Sequence, residues 1–401
     1  MLLSLALIFL VGLCAASIFS MIKLPRIIGM LATGIVIGPF VLDLLDPSIL
    51  GISSELRQIA LIIILIKAGI TLSLSDLKKV GRPAVLMSFL PACFEILGYF
   101  LIAPYLLGLS RIEAAVMGAV LSAVSPAVVV PRMVNLIDVK YGTEKAVPQM
   151  ILAGASCDDI FVIVLFSTFV TMASGGTANV TDFINIPVSI VLGILLGTAA
   201  GFVLYFLFEG SRRRNKSIRS TVKVIIILGV SFLLMSIETS LKDRLAVSGL
   251  LAVVSMACVI KLKSAPEISA KLSDKFGKLW IAAEIILFVL VGAAVDIRYT
   301  LTAGAAAIGM IFIALAFRAA GVTLCLLGTK LNFKERLFCV IAYLPKATVQ
   351  AAIGSVPLSL GLPCGNIVLS VAVLAIIITA PLGAFGIDFS YKRLLKKEEE
   401  P

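Results

Sequence analysis

Apolar residues run along the chain in blocks of roughly 20, parted by short stretches that hold most of the charge and many of the turn-forming residues. A helix rises about 1.5 Å per residue, so each block covers the ~30 Å hydrocarbon core of a bilayer. Backbone groups in lipid must pair within their own segment, and the period-two alternation of a membrane barrel is missing, so the spans are predicted as helices. Turn signals and charge clusters place them near 1–19, 27–42, 56–74, 83–107, 112–134, 147–171, 184–208, 221–237, 245–262, 279–296, 301–328, 335–359 and 365–386. The pattern predicts an all-α polytopic membrane protein with about 13 transmembrane helices.

Composition agrees with this: 60% of the 401 residues are hydrophobic and 14% charged, with a mean hydropathy of +1.13. A soluble domain with a polar shell does not reach that balance. Block 1–19 lacks a basic leader and a small-residue cleavage site, and is read as a retained span. With the N-terminus outside, 26 of the 34 Lys and Arg fall on the cytoplasmic side, namely Lys23, Arg26, Lys78, Lys79, Arg82, Arg132, Lys140, Lys145, the clusters at 212–223, 261–278 and 330–336, and the tail. The opposite side holds Arg57, Arg111, Lys242, Arg244 and Arg298. The positive-inside rule therefore predicts an outside N-terminus and a cytoplasmic C-terminus, and the expected location is the cell membrane, inner or plasma.

The net charge of +11 is then the charge of loop flanks facing anionic lipid, and no nucleic-acid partner is expected. Thirteen spans leave no room for a soluble catalytic domain, and no glycine-rich phosphate loop argues for a nucleotide, so any pumping is expected to draw on an ion gradient. The seven cysteines stand singly within apolar runs, without disulfide or zinc spacing, and no cofactor is expected. The chain has no histidine, so proton chemistry must use Asp, Glu, Lys, Tyr or Cys.

A charge at the centre of a membrane helix costs about 2.5–3.5 kcal/mol, which makes ionisable residues at depth functional candidates. Five stand out: Glu95, Asp158, Asp159, Arg318 and Lys346. Lys67, Glu284 and Asp296 are weaker cases. Asp158 and Asp159 lie midway through GASCDDIFVIVLFSTF, where adjacent side chains point about 100° apart. One can line a cavity while the other turns to a neighbouring helix. Two acids this close in a low dielectric resist joint ionisation, so one of them can take up and release a proton.

Two spans carry helix-breaking sequence at depth: AVLSAVSPAVVVP, with Ser122, Ser125 and Pro126, and YLPKATVQAAIGSVPL, with Pro345, Lys346, Thr348, Gln350, Gly354 and Pro357. Interrupted helices in matching positions of two halves point to a transporter site. With a first repeat at about 1–171, a linking span at 184–208 and a second repeat at 221–386, the fifth span matches the twelfth and the fourth the eleventh. Residues 387–401 form a short charged tail of one transporter domain covering 1–401. The match sets Glu95 opposite Arg318, read as an ion pair that holds the bundle. Single neutralisation is then expected to destabilise more than a charge swap. Lys346 can offset helix-end partial charges or lose its proton when desolvated.

The stretches SAVSPAVVVPRM at 122–133, GTEKAVPQMILAGASCDDI at 142–160 and LPKATVQAAIGSVPL at 344–358 resemble the monovalent cation:proton antiporter superfamily, specifically its double-aspartate NHA branch of sodium/proton antiporters. The resemblance covers nearly the whole chain. It implies an NhaA-like fold of inverted repeats with two crossed, broken helices, a separate dimerisation domain and a homodimer. It also implies exchange of Na+ or Li+ for H+ by alternating access, expected to be electrogenic, with Asp159 as the direct ligand, Asp158 as its partner, and Ser125 and Thr348 assisting. Many electrogenic relatives have lysine at the position of Arg318, and the place matching an acidic residue of the tenth span in some relatives is Ala294, leaving Asp296 as a candidate partner for Lys346. The rival readings are a sodium-coupled organic anion symporter, an intramembrane aspartyl protease and a passive channel. The protease needs acids on two helices, which CDDI does not supply.

Overall fold

The structure is a computed structural model and describes residues 1–22, 24–71, 81–175, 180–213, 218–241 and 247–398. Lys23, Lys78, Lys79, Arg214, Lys216, Lys242 and Arg244, used above for orientation, lie outside these residues. The described chain is helical, and its one bridge of β type joins Tyr141 to Lys397. In chain order the helices are α1 (Leu2–Met21), α2 (Arg26–Ile37), α3 (Pro47–Gly51), α4 (Ser53–Thr71), α5 (Arg82–Met87), α6 (Leu90–Leu107), α7 (Arg111–Leu121), α8 (Pro126–Asp138) and α9 (Val147–Ser174). They continue as α10 (Val180–Arg213), α11 (Ser220–Leu241), α12 (Gly249–Lys263), α13 (Pro266–Ala293), α14 (Ile297–Cys325), α15 (Phe333–Ala342), α16 (Thr348–Ile353), α17 (Val356–Ser359) and α18 (Gly365–Leu394).

Among the described residues, nine helical segments are long and apolar enough to cross a bilayer, with α5–α6 and α7–α8 each counted as one. The other expected spans fall on helices that are short, interrupted or more highly charged: α2, α4, α12 and α15–α17. Large apolar side chains such as Leu10, Leu195, Val203, Phe206, Ile225 and Phe389 stand exposed on the outer faces. Lipid is the solvent that accepts such a surface.

The chain divides into two compact units, each discontinuous in sequence. One comprises Met1–Ser54, Ser73–Ser174 and Ile285–Pro401, the other Glu55–Leu72 and Gly175–Glu284. In the second unit, Gly193, Gly197 and Gly201 place one face of α10 against Ser248, Ala252 and Val259 of the α12 region. Small residues four apart let two membrane helices approach closely where apolar burial gives no net drive.

The first unit contains every ionisable residue singled out at depth except Lys67 and Glu284. Its centre is built from α6, α7–α8, α9, α14, α15–α16 and α18. Gly98 faces the Phe317 ring and Gly321 faces Pro91 and Phe94, so α6 and α14 pack tightly one turn beyond Glu95 and Arg318 respectively. At the far end, the loop between α8 and α9 is closed by the chain terminus. Gly142 N–H donates to Lys396 (2.8 Å), Glu398 N–H donates to Lys140 (2.8 Å), and Leu395 is buried against Gly142.

Candidate functional site

Both broken helices share one pattern of helix, unwound segment and helix. α7 ends at Leu121, residues 122–125 are unwound, and α8 begins at Pro126; α15 ends at Ala342, and α16 begins at Thr348. The fifth span was expected to break because Pro126 clashes with the preceding turn. Instead Pro126 is the first residue of α8, where its missing N–H costs nothing, and the unwound residues lie before it. Pro345 sits in the second unwound segment, its ring seated against Gly383 of α18, and its carbonyl accepts the Ser125 N–H at 2.8 Å. That bond marks the crossing. Gly354 caps α16 at φ −62°, an ordinary helical value, so its role is packing against Ala372 rather than conformational freedom.

Breaking two helices orphans backbone carbonyls that lipid cannot satisfy. Arg318 meets them. Its Nε donates to the carbonyl of Tyr343 (2.6 Å), and one terminal nitrogen donates to the carbonyl of Ser122 as well as to Glu95 (3.0 Å). Ser122 and Tyr343 are the C-terminal caps of α7 and α15, so one guanidinium serves the matching end of both broken helices. The other terminal nitrogen donates to Asp158 Oδ2 (3.1 Å), which also accepts the Val124 N–H at 2.7 Å.

Lys346, for which Asp296 was the candidate partner, is 2.8 Å from Glu95. Its backbone N–H donates to Thr379 Oγ (3.0 Å). Arg318, rather than Lys346, is thus the residue that offsets the helix-end carbonyls. Glu95, Asp158, Arg318 and Lys346 are all fully buried. Asp159, about 7% exposed, has no comparable anchor. Its Oδ1 is buried without a hydrogen-bond partner, as are Asp158 Oδ1, Ser125 Oγ, Thr348 Oγ1 and Gln350 Oε1. Ser125 occupies the N-cap of α8 without a side-chain capping bond, so its hydroxyl is left over.

Counting formal charges, Glu95, Asp158 and Asp159 face Arg318 and Lys346, which leaves one negative charge in a buried cluster. Such a charge calls for a proton or a cation. The unpartnered atoms are all oxygens, the donor type that hard monovalent cations take. Gln350 was named in the sequence only as part of a helix-breaking stretch, with no role, and Thr379 was not named. A lone amide and a lone hydroxyl in apolar runs are the signal that marks them.

The fold is shared with the sodium proton antiporter MjNhaP1 from Methanocaldococcus jannaschii at a TM-score of 0.79, with 22% identity and coverage of 97% of both chains. In sequence, the human sodium/hydrogen exchanger 9B2 is 35% identical over 390 residues, covering 94% of this chain and 71% of the relative. Human sodium/hydrogen exchanger 9B1 is 32% identical over 399 residues, covering 94% and 74%. The family described as "Sodium/hydrogen exchanger, transmembrane" matches residues 5–390, nearly the full length over which the broken helices and their charges are laid out. The chain therefore belongs to the sodium/hydrogen exchanger family.

Proposed function

We propose that the protein exchanges Na+ or Li+ for H+ across the cell membrane by alternating access, and that Asp159 is the group for which cation and proton compete. The observation that carries this reading is the contrast between the two aspartates. Asp158 is held by Arg318 and a backbone N–H, while Asp159 Oδ1 is buried without a hydrogen-bond partner. Family membership supports transport rather than enzyme chemistry.

In this scheme Asp159 coordinates the cation with Asp158 Oδ1, and the oxygens of Ser125 and Thr348 complete the shell. Protonation of Asp159 removes its charge and releases the cation. Either occupant brings the buried cluster to zero, and a neutral cluster is the form that crosses a low-dielectric barrier at least cost. With Lys346 charged throughout, one proton moves per cation and the cycle carries no net charge. The electrogenic exchange that the family resemblance implies needs a second proton to leave as the cation enters, from Lys346 or from Asp158. An organic anion as cargo is disfavoured because both cations of this cluster, Arg318 and Lys346, are already committed to carboxylates. We assign the N-terminus to the outside, the C-terminus to the cytoplasm, and the working form to a homodimer.

Purified protein in proteoliposomes, with an internal pH dye and Na+, Li+ and K+ added separately, tests the reading. Proton movement is expected with Na+ or Li+, at a rate insensitive to an imposed membrane potential. No movement with any of the three refutes exchange, and a potential-driven rate assigns a second proton to Lys346 or to Asp158.

A further inference from the structure

Gln350 lies on the second residue after the start of α16, fully buried, and reaches across to the other broken helix. Its Nε2 donates to the carbonyls of Ala123 (2.8 Å) and Leu121 (3.4 Å). Two carbonyl acceptors fix which end of the amide faces them, since an amide oxygen there would meet two oxygens and no donor. The Oε1 atom is therefore turned away, and it is buried without a partner.

The unwound segment is thereby gripped on two sides. Backbone groups of Ser122 and Val124 bind Arg318 and Asp158, while the alternate carbonyls, Leu121 and Ala123, bind Gln350. Ser125, whose hydroxyl is unpartnered and whose N–H donates to Pro345, is the next residue along. The side held by Arg318 and Asp158 is ionised, and the side held by the amide is neutral.

We infer that Gln350 is a selectivity-determining residue, a neutral brace that fixes how closely the Ser125 end of the unwound segment approaches the cation at Asp159. This rests on the reading of Asp159 as the cation site. Discrimination among alkali cations depends on the distance and number of oxygens that replace their hydration shell, so a small displacement of this segment alters the relative affinity for Li+, Na+ and K+.

The test is transport by Gln350→Met, close in shape and without hydrogen-bonding atoms, in proteoliposomes at one pH. The expected result is a change of about fivefold or more in the ratio of apparent KM for Li+ to that for Na+, the scale on which one neutral hydrogen bond is felt. Gln350→Glu provides a second arm that keeps the side-chain length. Its ratio should be displaced at high pH and return toward that of the unmodified protein as pH falls and the protonated carboxyl regains one donor. A purely structural role would lower the melting temperature and leave both ratios unchanged, and that outcome overturns the inference. If the unmodified protein moves no protons with Na+ or Li+, the exchange reading itself fails. Exchange with unaltered selectivity in both variants removes only the role of Gln350.

Discussion

Asp158 and Asp159 are neighbours in sequence, yet their contacts assign them opposite responses to substitution. Asp158 binds the Arg318 guanidinium and the Val124 N–H in a fully buried position, so Asp158→Asn leaves a buried cation short of a partner. Breaking such a pair costs about 3–5 kcal/mol, and melting in detergent should show the loss. Asp159→Asn removes a charge without breaking a comparable anchor, so its melting temperature should hold or rise while exchange is abolished. Equal melting temperatures for the two variants, or exchange by Asp159→Asn, would contradict the division of roles. The charge swap of Glu95 and Arg318 was expected to be milder than single neutralisation. The structure reverses that expectation: Glu95 also binds Lys346, and Arg318 also binds Asp158 and two carbonyls, so swapped charges face like charges and leave the carbonyls without donors. The swapped protein should therefore melt below either single neutralisation. Sequence alone made these charges visible by their depth in apolar runs, but not their partners. One arginine bridging four acceptors on four segments exists only after the helices are packed.

At the scale of helices, the site depends on how closely α6 approaches α14. Gly321 leaves no space beyond Pro91 and Phe94: a Cβ there would lie 2.9 Å from Pro91 Cα and 3.1 Å from Phe94 Cβ. Gly321→Val should force the helices apart at a cost of about 1–3 kcal/mol, as overpacking of a filled core does. Because Arg318 sits one turn away, exchange should fall more than the change in melting temperature alone accounts for. A variant that melts lower but transports at the unmodified rate would show that this packing is not tied to the site. The helices and both interruptions are legible from hydropathy, proline and charge, because apolar period and missing donors act locally. The position of the first break was not. Pro126 marks the start of the second half, and the unwound residues before it are ordinary in type, held open by partners from α9, α14 and α16. Serine and proline showed that a break was near; the long-range bonds decide which residues unwind.

For the whole molecule, the repeats read in sequence and the units seen in space follow different divisions. The site-bearing unit draws on both ends of the chain, and the other on residues 55–72 and 175–284. Hydropathy reports which residues cross a membrane but carries no information on which crossing helices pack together, so this division was not accessible from the pattern. What the chain does as a transporter then depends on the cluster having a single uncompensated charge. If cation and proton occupy Asp159 in turn, each must appear as a competitor of the other. As pH falls below the proton affinity of the site, the fraction of sites free for Na+ drops, and the apparent KM for Na+ should rise by about tenfold per pH unit in that limb. At high pH, where the site is mostly deprotonated, the apparent KM should become constant. The maximal rate at saturating Na+ should change far less than KM on the acid side, because excess cation displaces the proton. Initial rates in proteoliposomes, measured over a matrix of external Na+ concentration and pH with the internal solution fixed, distinguish this from separate binding sites. Separate sites would give a maximal rate that falls with acidity at constant KM, and that pattern would exclude Asp159 as the shared ligand.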